Sequence, residues 1–294
     1  MHSPMPAAHA GVSRPRPPSH ALKVIRHALG LAPLWIAAFI VLVPVWWTVM
    51  SSLRSPAESF TLPPQWLPLH PDWSNYQDVF KKIPYGRYVL NSTIVSVCVV
   101  AGQVITATLA GYAFGRFKFP GQTVLFWLIM ATLMVPLQAT IIPVFVLISK
   151  LHLNNTLASL ILPAVPSAFG TFLLRQYFMG LPNDFEEAAV IDGANQFQVF
   201  GRIYLPLAVP GMAILAILTF NGTWNDFYRP LIFLTDEQNY TLPLGIVSLV
   251  GYLSTGRVST VVAAVVLSVL IVLAVYLVGQ RYLVEGLTLG GVKS

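Results

Sequence analysis

Long windows without a charged residue alternate with short charged segments along this chain. A helix of about 20 apolar residues crosses the roughly 30 Å hydrocarbon core of a bilayer. We therefore predict six membrane spans, at residues 31–53, 88–115, 122–149, 156–174, 206–228 and 258–280. Pro136 and Pro143 predict a tilt or kink in the third span, and Arg175 and Arg281 predict the ends of the fourth and sixth.

Two segments fall outside these windows. Residues 1–28, rich in Pro, His and Ser, are predicted to be mainly a disordered cytoplasmic tail. The apolar run after them exceeds the 7–15 residues of a signal peptide, so it is predicted as an uncleaved first span. Residues 238–256 lack charge but contain Pro243 and polar groups, which favours an external loop with a short helix over a seventh span. Whether this loop re-enters the membrane stays open.

The composition places most of the chain in lipid. Charged residues make up 10% and hydrophobic residues 55% of the sequence, and the mean hydropathy is +0.69. Soluble domains have about a quarter of their residues charged. We predict an all-α membrane protein, with one transmembrane domain over residues 29–294.

The basic residues orient the predicted spans. A majority of the 17 lysines and arginines falls on one side when the N-terminus is placed in the cytoplasm. Both termini are then cytoplasmic, and so is the segment between the fourth and fifth spans.

That cytoplasmic segment is unusually acidic. The chain has 11 acidic residues, and four of them, Asp184, Glu186, Glu187 and Asp192, lie close together. Acids early in a helix suit the positive end of its dipole, and Asn183 is predicted to cap that end. Gly193 is predicted to end this helix.

A second short helix is predicted directly after the first. Asn195 is expected to cap it, with Phe197, Phe200 and Ile203 on its apolar side. The product is a helix, a sharp turn and a return into the membrane.

The acidic helix is too short to be stable alone, so it must pack on something else. Helices that lie on membranes usually carry Lys or Arg toward anionic lipid. This helix carries acids instead, which favours docking into a partly basic cleft of a partner protein.

The stretch "EEAAVIDGANQFQVFGRIYLPLAVP" resembles the EAA motif of ATP-binding-cassette (ABC) importer permeases. The matching positions are Glu187, Ala188, Ala189, Gly193, Ile203, Leu205 and Pro206. The variant Asp192-Gly193-Ala194 resembles the carbohydrate branch, the maltose-type, binding-protein-dependent permeases. "NSTIVS" at 91–96, "AGYAFGRFKFPG" at 110–121 and "TWNDFYRPLIFL" at 223–234 resemble the same family, and the likeness covers about residues 30–294.

The resemblance implies a type I ABC importer permease fold with six transmembrane helices in the cell inner membrane. It implies that the loop at about 180–205 is a coupling helix for an ATPase subunit, contributed by Glu186, Glu187, Ala188, Ala189, Asp192, Gly193 and Ala194. The implied partners are a second permease of different sequence, two ATP-binding subunits and an extracytoplasmic solute-binding protein. The implied cargo is a sugar or sugar-derived solute.

We predict no cofactor, catalysis or metal site in this chain. It lacks a GxxxxGK[ST] phosphate loop, so ATP and Mg are expected on the partner ATPase subunits. His70 and His152 have no second ligand at useful spacing, and no nucleophile–base pair stands out. The scattered basic residues do not form a nucleic-acid-binding stripe.

Two other classes of function are alternatives. An ion-coupled carrier acting without ATPase subunits generally needs acids or histidines inside the membrane. Asp226 is the only acid near a span and is predicted to be interfacial or to pair with Arg229. A structural subunit without transport would leave the polar fifth span unexplained.

The fifth span carries polar and aromatic residues whose role stays open. Asn221, Trp224, Asn225 and Tyr228 suit a substrate pathway for sugar hydroxyls and faces. They equally suit an interfacial aromatic belt with hydrogen bonds between helices. In the second span, Gly102 and Gly111, with nearby alanines, predict close helix packing.

Overall fold

The computed structural model describes the backbone of residues 20–55, 58, 66–252 and 258–291, and the side chains of 31–55, 58, 66–250 and 258–280. The contacts divide the chain between Thr48 and Val49, and the two parts are described separately. The predicted tail falls mostly outside the described residues, although the first helix already begins at His20.

Helices dominate these ranges, and no strand occurs in them. In chain order they are α1 (His20–Ser52), α2 (Ser74–Lys82), α3 (Tyr85–Arg116), α4 (Gln122–Ala131), α5 (Leu137–Lys150), α6 (Ala158–Ile161), α7 (Ala168–Gly180), α8 (Asp184–Ile191), α9 (Gln196–Val199), α10 (Leu205–Leu207), α11 (Val209–Trp224), α12 (Tyr228–Phe233), α13 (Leu242–Tyr252) and α14 (Val258–Gly291). Single 3₁₀ turns follow α4, α6 and α12, and one π turn, Phe200–Tyr204, follows α9.

Each of the six predicted windows coincides with a helix or bent helix pair long and apolar enough to cross a membrane. α1, α3 and α14 do so as single helices. The pair around α4 and α5 bends by 102°, that around α6 and α7 by 42°, and that from α9 to α11 by 65°. The all-α membrane fold is therefore confirmed, with six spans when each bent pair counts as one.

Prolines explain the sharpest bend. Val135 and Pro136 are extended, with ψ of 117° and 142°, because proline disfavours helical backbone in the residue before it. α5 then starts at Leu137. The predicted kink at Pro136 is confirmed as a break, whereas Pro143 lies inside α5 without interrupting it.

Two predicted span ends were wrong, because α7 passes Arg175 and ends at Gly180, and α11 ends at Trp224, before the predicted Tyr228. The predicted window 258–280 matches the sixth candidate span, although α14 itself continues past Arg281 to Gly291. A charged residue interrupts an apolar run in the sequence. It does not end the helix when its side chain has a hydrogen-bond partner. Arg175 shows this, since its Nε donates to the carbonyl oxygen of Phe114 at 3.1 Å.

The predicted short helix within residues 238–256 is confirmed as α13. It buries Leu242, Leu244, Ile246 and Leu249. A Cβ added at Gly245 would lie 2.0 Å from the Tyr88 ring, so only glycine allows this approach to α3. Residues 253–257 lie outside the described ranges.

Small residues bring α3 against α7, as predicted. A Cβ at Gly111 would lie 2.8 Å from the backbone nitrogen of Arg175. A Cβ at Gly102 would lie 2.6 Å from a methyl group of Val165, in the break between α6 and α7. The backbones can approach this closely only because these positions lack side chains.

Polar side chains of α3, here called the Gln103 clamp, make hydrogen bonds to the break between α6 and α7. The Gln103 side chain donates to the Ala164 carbonyl at 2.7 Å and accepts from the Thr219 hydroxyl at 2.9 Å. The Thr106 hydroxyl donates to the Val165 carbonyl at 3.2 Å. Carbonyl groups left open by a broken membrane helix need such partners, so the clamp joins α3, α11 and the α6–α7 break.

Among the described side chains from residue 49 onward, buried residues form three clusters, and one of them supports the acidic segment. It contains Ala107, Tyr112, Leu174, Phe178, Val199, Tyr204, Ala208 and Leu215. The cluster therefore joins α3, α7, α9, the π turn and α11 beneath α8.

Candidate functional site

The start of α8 is held by a residue from another helix. Asn183 has helical backbone angles (φ −76°, ψ −24°), and its side chain caps no backbone group. The predicted cap was wrong because the Asn183 amide oxygen instead accepts from the Arg116 guanidinium, at the end of α3. Arg116 also donates to the Leu181 carbonyl at 2.5 Å.

The end of α8 is the glycine stop that the sequence predicts. Gly193 has φ +85°, and its N–H donates to the Val190 carbonyl at 3.0 Å. The Ala194 N–H donates to the Ala189 carbonyl at 2.9 Å. These two bonds form a Schellman motif, which satisfies carbonyl groups at a helix end.

The return into the membrane begins with a capping box. The Asn195 side chain accepts from the Gln198 N–H at 3.0 Å, and the Gln198 side chain accepts from the Asn195 N–H at 2.8 Å. The predicted cap at Asn195 is confirmed. The predicted apolar side was wrong at Phe197, which is 88% exposed, whereas Val199 and Tyr204 are buried.

One hydrogen bond ties α8 to the cluster beneath it. The Tyr204 hydroxyl donates to Oε2 of Glu186 at 2.9 Å. The Arg116 guanidinium lies over the Tyr204 ring, 4.5 Å from its centroid. The Tyr204 ring in turn lies 5.4 Å from Tyr112 and 6.3 Å from Phe178. Glu186 is thus directed toward the bundle.

The opposite side of α8 is exposed. Ala189 and Ala194 pack against the cluster, while Glu187, Ala188, Asp192 and Gly193 are exposed. The sequence prediction missed three exposed apolar residues of α8, of which Ile191 is 85% exposed: Phe185, Val190 and Ile191. The sequence contains a signal for this exposure, because apolar residues that stand between acids on a short helix cannot all face the bundle.

A groove of about 690 Å³ separates α8 from the end of α3. Its lining is of mixed charge: Gly115, Arg116, Lys118, Asn183, Glu186, Glu187, Val190 and Ile191. No local pattern in the sequence predicts that Arg116 and Lys118 lie beside the acidic helix.

The polar end of α11 divides into an exposed and a buried part. Asn221, Asn225 and Tyr228 are exposed, and the Asn225 amide donates to the Asn221 carbonyl at 2.8 Å. Trp224 is only 1% exposed. Its ring stacks on Phe220 at 5.5 Å, and its N–H donates to the Ser268 hydroxyl at 3.2 Å. Trp224 is therefore buried in this chain and makes a hydrogen bond between helices, which is the second of the two roles that its sequence suited.

Asp226 pairs with Arg229 as predicted. Oδ2 of Asp226 lies 2.6 Å from Nε of Arg229, and the Arg229 N–H also donates to the same carboxylate at 3.3 Å. Within the described ranges, no group of three or more His, Cys, Asp or Glu side chains is placed to hold a metal ion.

Comparison with known proteins gives a family match over residues 107–288, to the binding-protein-dependent transport system inner membrane component. The diacetylchitobiose uptake system permease protein of Streptomyces coelicolor is 36% identical over 90% of this chain and 87% of that protein. The sn-glycerol-3-phosphate transport system permease protein of Pectobacterium atrosepticum is 33% identical, over 86% of this chain and 93% of that protein.

Solved structures agree with the fold. A chain of a bacterial ABC transporter involved in the import of the acidic polysaccharide alginate is 26% identical, with a TM-score of 0.74. The match covers 91% of this chain and all of that one. A chain of the alginate transporter in complex with an alginate-pentasaccharide-bound periplasmic protein matches at a TM-score of 0.63 and 14% identity, which speaks to the fold alone.

These matches include the whole of α8 and the groove beside it. They confirm the resemblance drawn from the EAA motif, and they decide against an ion-coupled carrier or a structural subunit. The chain belongs to the family of inner membrane components of binding-protein-dependent transport systems, and it is a multi-pass transport permease, not an enzyme.

Proposed function

We propose that this chain is one of two different permease subunits of an ABC importer that takes up a sugar or sugar-derived solute. An extracytoplasmic binding protein delivers the solute, and two ATPase subunits bind ATP and Mg. Both termini and α8 lie on the cytoplasmic side. α8 is the coupling helix that docks on an ATPase subunit.

The two-sided character of α8 carries this proposal. Its inner side is tied to the bundle through Glu186 and packs through Ala189. Its outer side leaves Ile191 and Glu187 exposed. An apolar surface edged by acids suits a partly basic protein cleft, because anionic lipid would repel the carboxylates.

The contacts beneath α8 supply a route for movement. A displacement of α8 would act on Tyr204 through Glu186, and on α3 through Asn183 and Arg116. Tyr204 packs against α3 and α7 through aromatic rings. Docking of α8 would therefore bias the packing of several spans at once, as expected for a switch between two packed states.

The test replaces Ile191, whose exposure lets it change without disturbing the bundle. We expect Ile191→Asp to leave the permease folded but to weaken ATPase binding about tenfold or more, since burying an isoleucine side chain contributes about 1.5–3 kcal/mol. Co-purification of the ATPase subunits and solute-stimulated ATP hydrolysis measure the effect.

Leu69→Asp is the matched control, because Leu69 is an exposed leucine in the segment before α2. It should leave both co-purification and stimulation unchanged. An Ile191→Asp complex that assembles and is stimulated like the wild type would overturn the assignment of α8.

For the solute, we propose a neutral sugar. The exposed groups at the end of α11 are the amides of Asn221 and Asn225 and the phenol of Tyr228, which are uncharged. The neighbouring cation, Arg229, is already neutralised by Asp226. The relatives are named for solutes of different charge, among them diacetylchitobiose and sn-glycerol-3-phosphate, so the neutral class rests on these uncharged groups.

Uptake into proteoliposomes with the binding protein tests the solute class. Neutral oligosaccharides should accumulate in preference to acidic ones. Asn221→Ala should lower uptake about fivefold, the equivalent of one hydrogen bond, while Gln176→Ala, at an exposed amide on α7, should have no effect. Preferred uptake of an acidic oligosaccharide would contradict the proposal.

A further inference from the structure

A small pocket lies between the start of α4 and the middle of α7, apart from α8 and from the end of α11. Its volume is about 170 Å³, and its lining combines a cation, two polar residues and two aromatic rings: Gln122, Thr123, Phe126, Trp127 and Arg175. Pockets for drug-sized ligands measure about 300–1,000 Å³, so this one has room only for a compact group.

The cation of this pocket is fixed, and the described side chains supply it with no counter-ion. Nε of Arg175 donates to the Phe114 carbonyl at 3.1 Å, and the guanidinium lies 4.2 Å from the centroid of the Phe126 ring. No carboxylate of the described side chains forms an ion pair with Arg175, and none of them accepts a hydrogen bond from its terminal nitrogens. A half-buried guanidinium in this setting offers a fork of donors to an anion.

The surroundings are those of a membrane interface. Trp127 is 65% exposed, and Val124 and Leu128 on the same helix are similarly exposed. Tryptophan is enriched at the level of lipid headgroups, where its ring is half in apolar surroundings. Apolar side chains continue from the pocket along α4, where Leu125 is exposed as well.

We propose that this pocket binds the phosphodiester group of an anionic phospholipid. Arg175 donates to the two non-bridging phosphate oxygens, the Thr123 hydroxyl donates to one of the same two, and Trp127 packs beside the glycerol region. The acyl chains run along Val124 and Leu128. In the proposed orientation the pocket lies in the cytoplasmic leaflet, where anionic lipids and basic pockets between helices meet.

The test is retention of phosphatidylglycerol by the purified transporter, counted as bound lipid by native mass spectrometry. The wild type, reconstituted in phosphatidylcholine with phosphatidylglycerol, should retain one more phosphatidylglycerol molecule per transporter than Arg175→Gln. The affinity of the pocket for this lipid should fall about tenfold, as expected for the loss of one charge-assisted contact. Arg202→Gln, at an exposed arginine in the π turn, is the control and should retain the lipid.

A second variant separates lipid binding from folding. Thr123→Asp puts a carboxylate beside Arg175, where it should expel the phosphate, while an acid in the first turn of α4 suits the helix dipole. We expect a stable transporter that has lost the same lipid. Displacement by inorganic phosphate would identify a free-phosphate site and overturn the lipid assignment. Unchanged retention in both Arg175→Gln and Thr123→Asp would overturn the site altogether.

Discussion

Gly193 shows how one backbone angle shapes the acidic segment. Its φ of +85° lies in the left-handed region, which costs other L-residues about 1–2 kcal/mol. No atom lies within 4 Å of a Cβ added there. The requirement for glycine therefore comes from the backbone angle that turns the chain from α8 toward α9, and not from crowding.

Substitutions of Gly193 test whether the backbone angle or crowding creates the requirement for glycine. We expect Gly193→Ala to destabilise the end of α8 by about 1–2 kcal/mol, and Gly193→Asn to cost less, because asparagine tolerates this angle. Limited proteolysis of the loop at 180–205 in the purified transporter measures the opening. Equal protection in the wild type and Gly193→Ala would show that the angle does not limit this turn.

Between helices, the approach of α3 to α7 depends on the absence of a side chain at Gly111. An added methyl group would meet the Arg175 backbone nitrogen at 2.8 Å, and a backbone atom cannot move aside cheaply. We expect Gly111→Ala to destabilise the transporter by about 1–3 kcal/mol, measured as a lower midpoint of thermal unfolding in detergent.

Gly86, near the start of α3, provides the matched control. It is exposed, and a Cβ there meets nothing within 4 Å. Gly86→Ala should be neutral or stabilising by up to about 1 kcal/mol, since alanine is the better helix former. A similar loss of stability in both variants would place the effect in the helix itself and not in its packing.

Local signals predicted much of this arrangement. Windows without charged residues predicted the six spans, and Gly193 predicted the end of α8. The three-residue spacing of Asp226 and Arg229 predicted their ion pair. These features depend on neighbours along the chain. Their physical causes are therefore readable without knowing which helices pack together.

Contacts between distant residues were not predictable in this way. Asn183 looked like a helix cap but pairs with Arg116, which precedes it by 67 residues. Trp224 suited a substrate pathway and a contact between helices equally, and its hydrogen bond to Ser268, which follows it by 44 residues, favours the contact between helices. The same holds for the Gln103 clamp, because nothing in the local sequence indicates which broken helix its amide will meet.

In the whole molecule, four of the 11 acidic residues lie in one exposed helical segment. The described spans pack through small residues and internal hydrogen bonds. A permease of this family is not an enzyme, and in the proposed importer the ATPase subunits drive its movements. α8 joins an exposed surface to the cluster that packs α3, α7 and α11. We therefore propose that an ATPase subunit acts on the permease at α8.

Site-specific cross-linking tests this claim most directly. In a Cys98→Ser background, which removes the chain's one cysteine, Ile191→Cys is treated with a short bifunctional thiol reagent in membranes that contain the assembled transporter. We expect Ile191→Cys to give a covalent product of the permease with an ATPase subunit, and Leu69→Cys to give none. If Ile191→Cys gives no such product in an active, assembled transporter, or if Leu69→Cys gives it equally, the ATPase subunit does not act at α8.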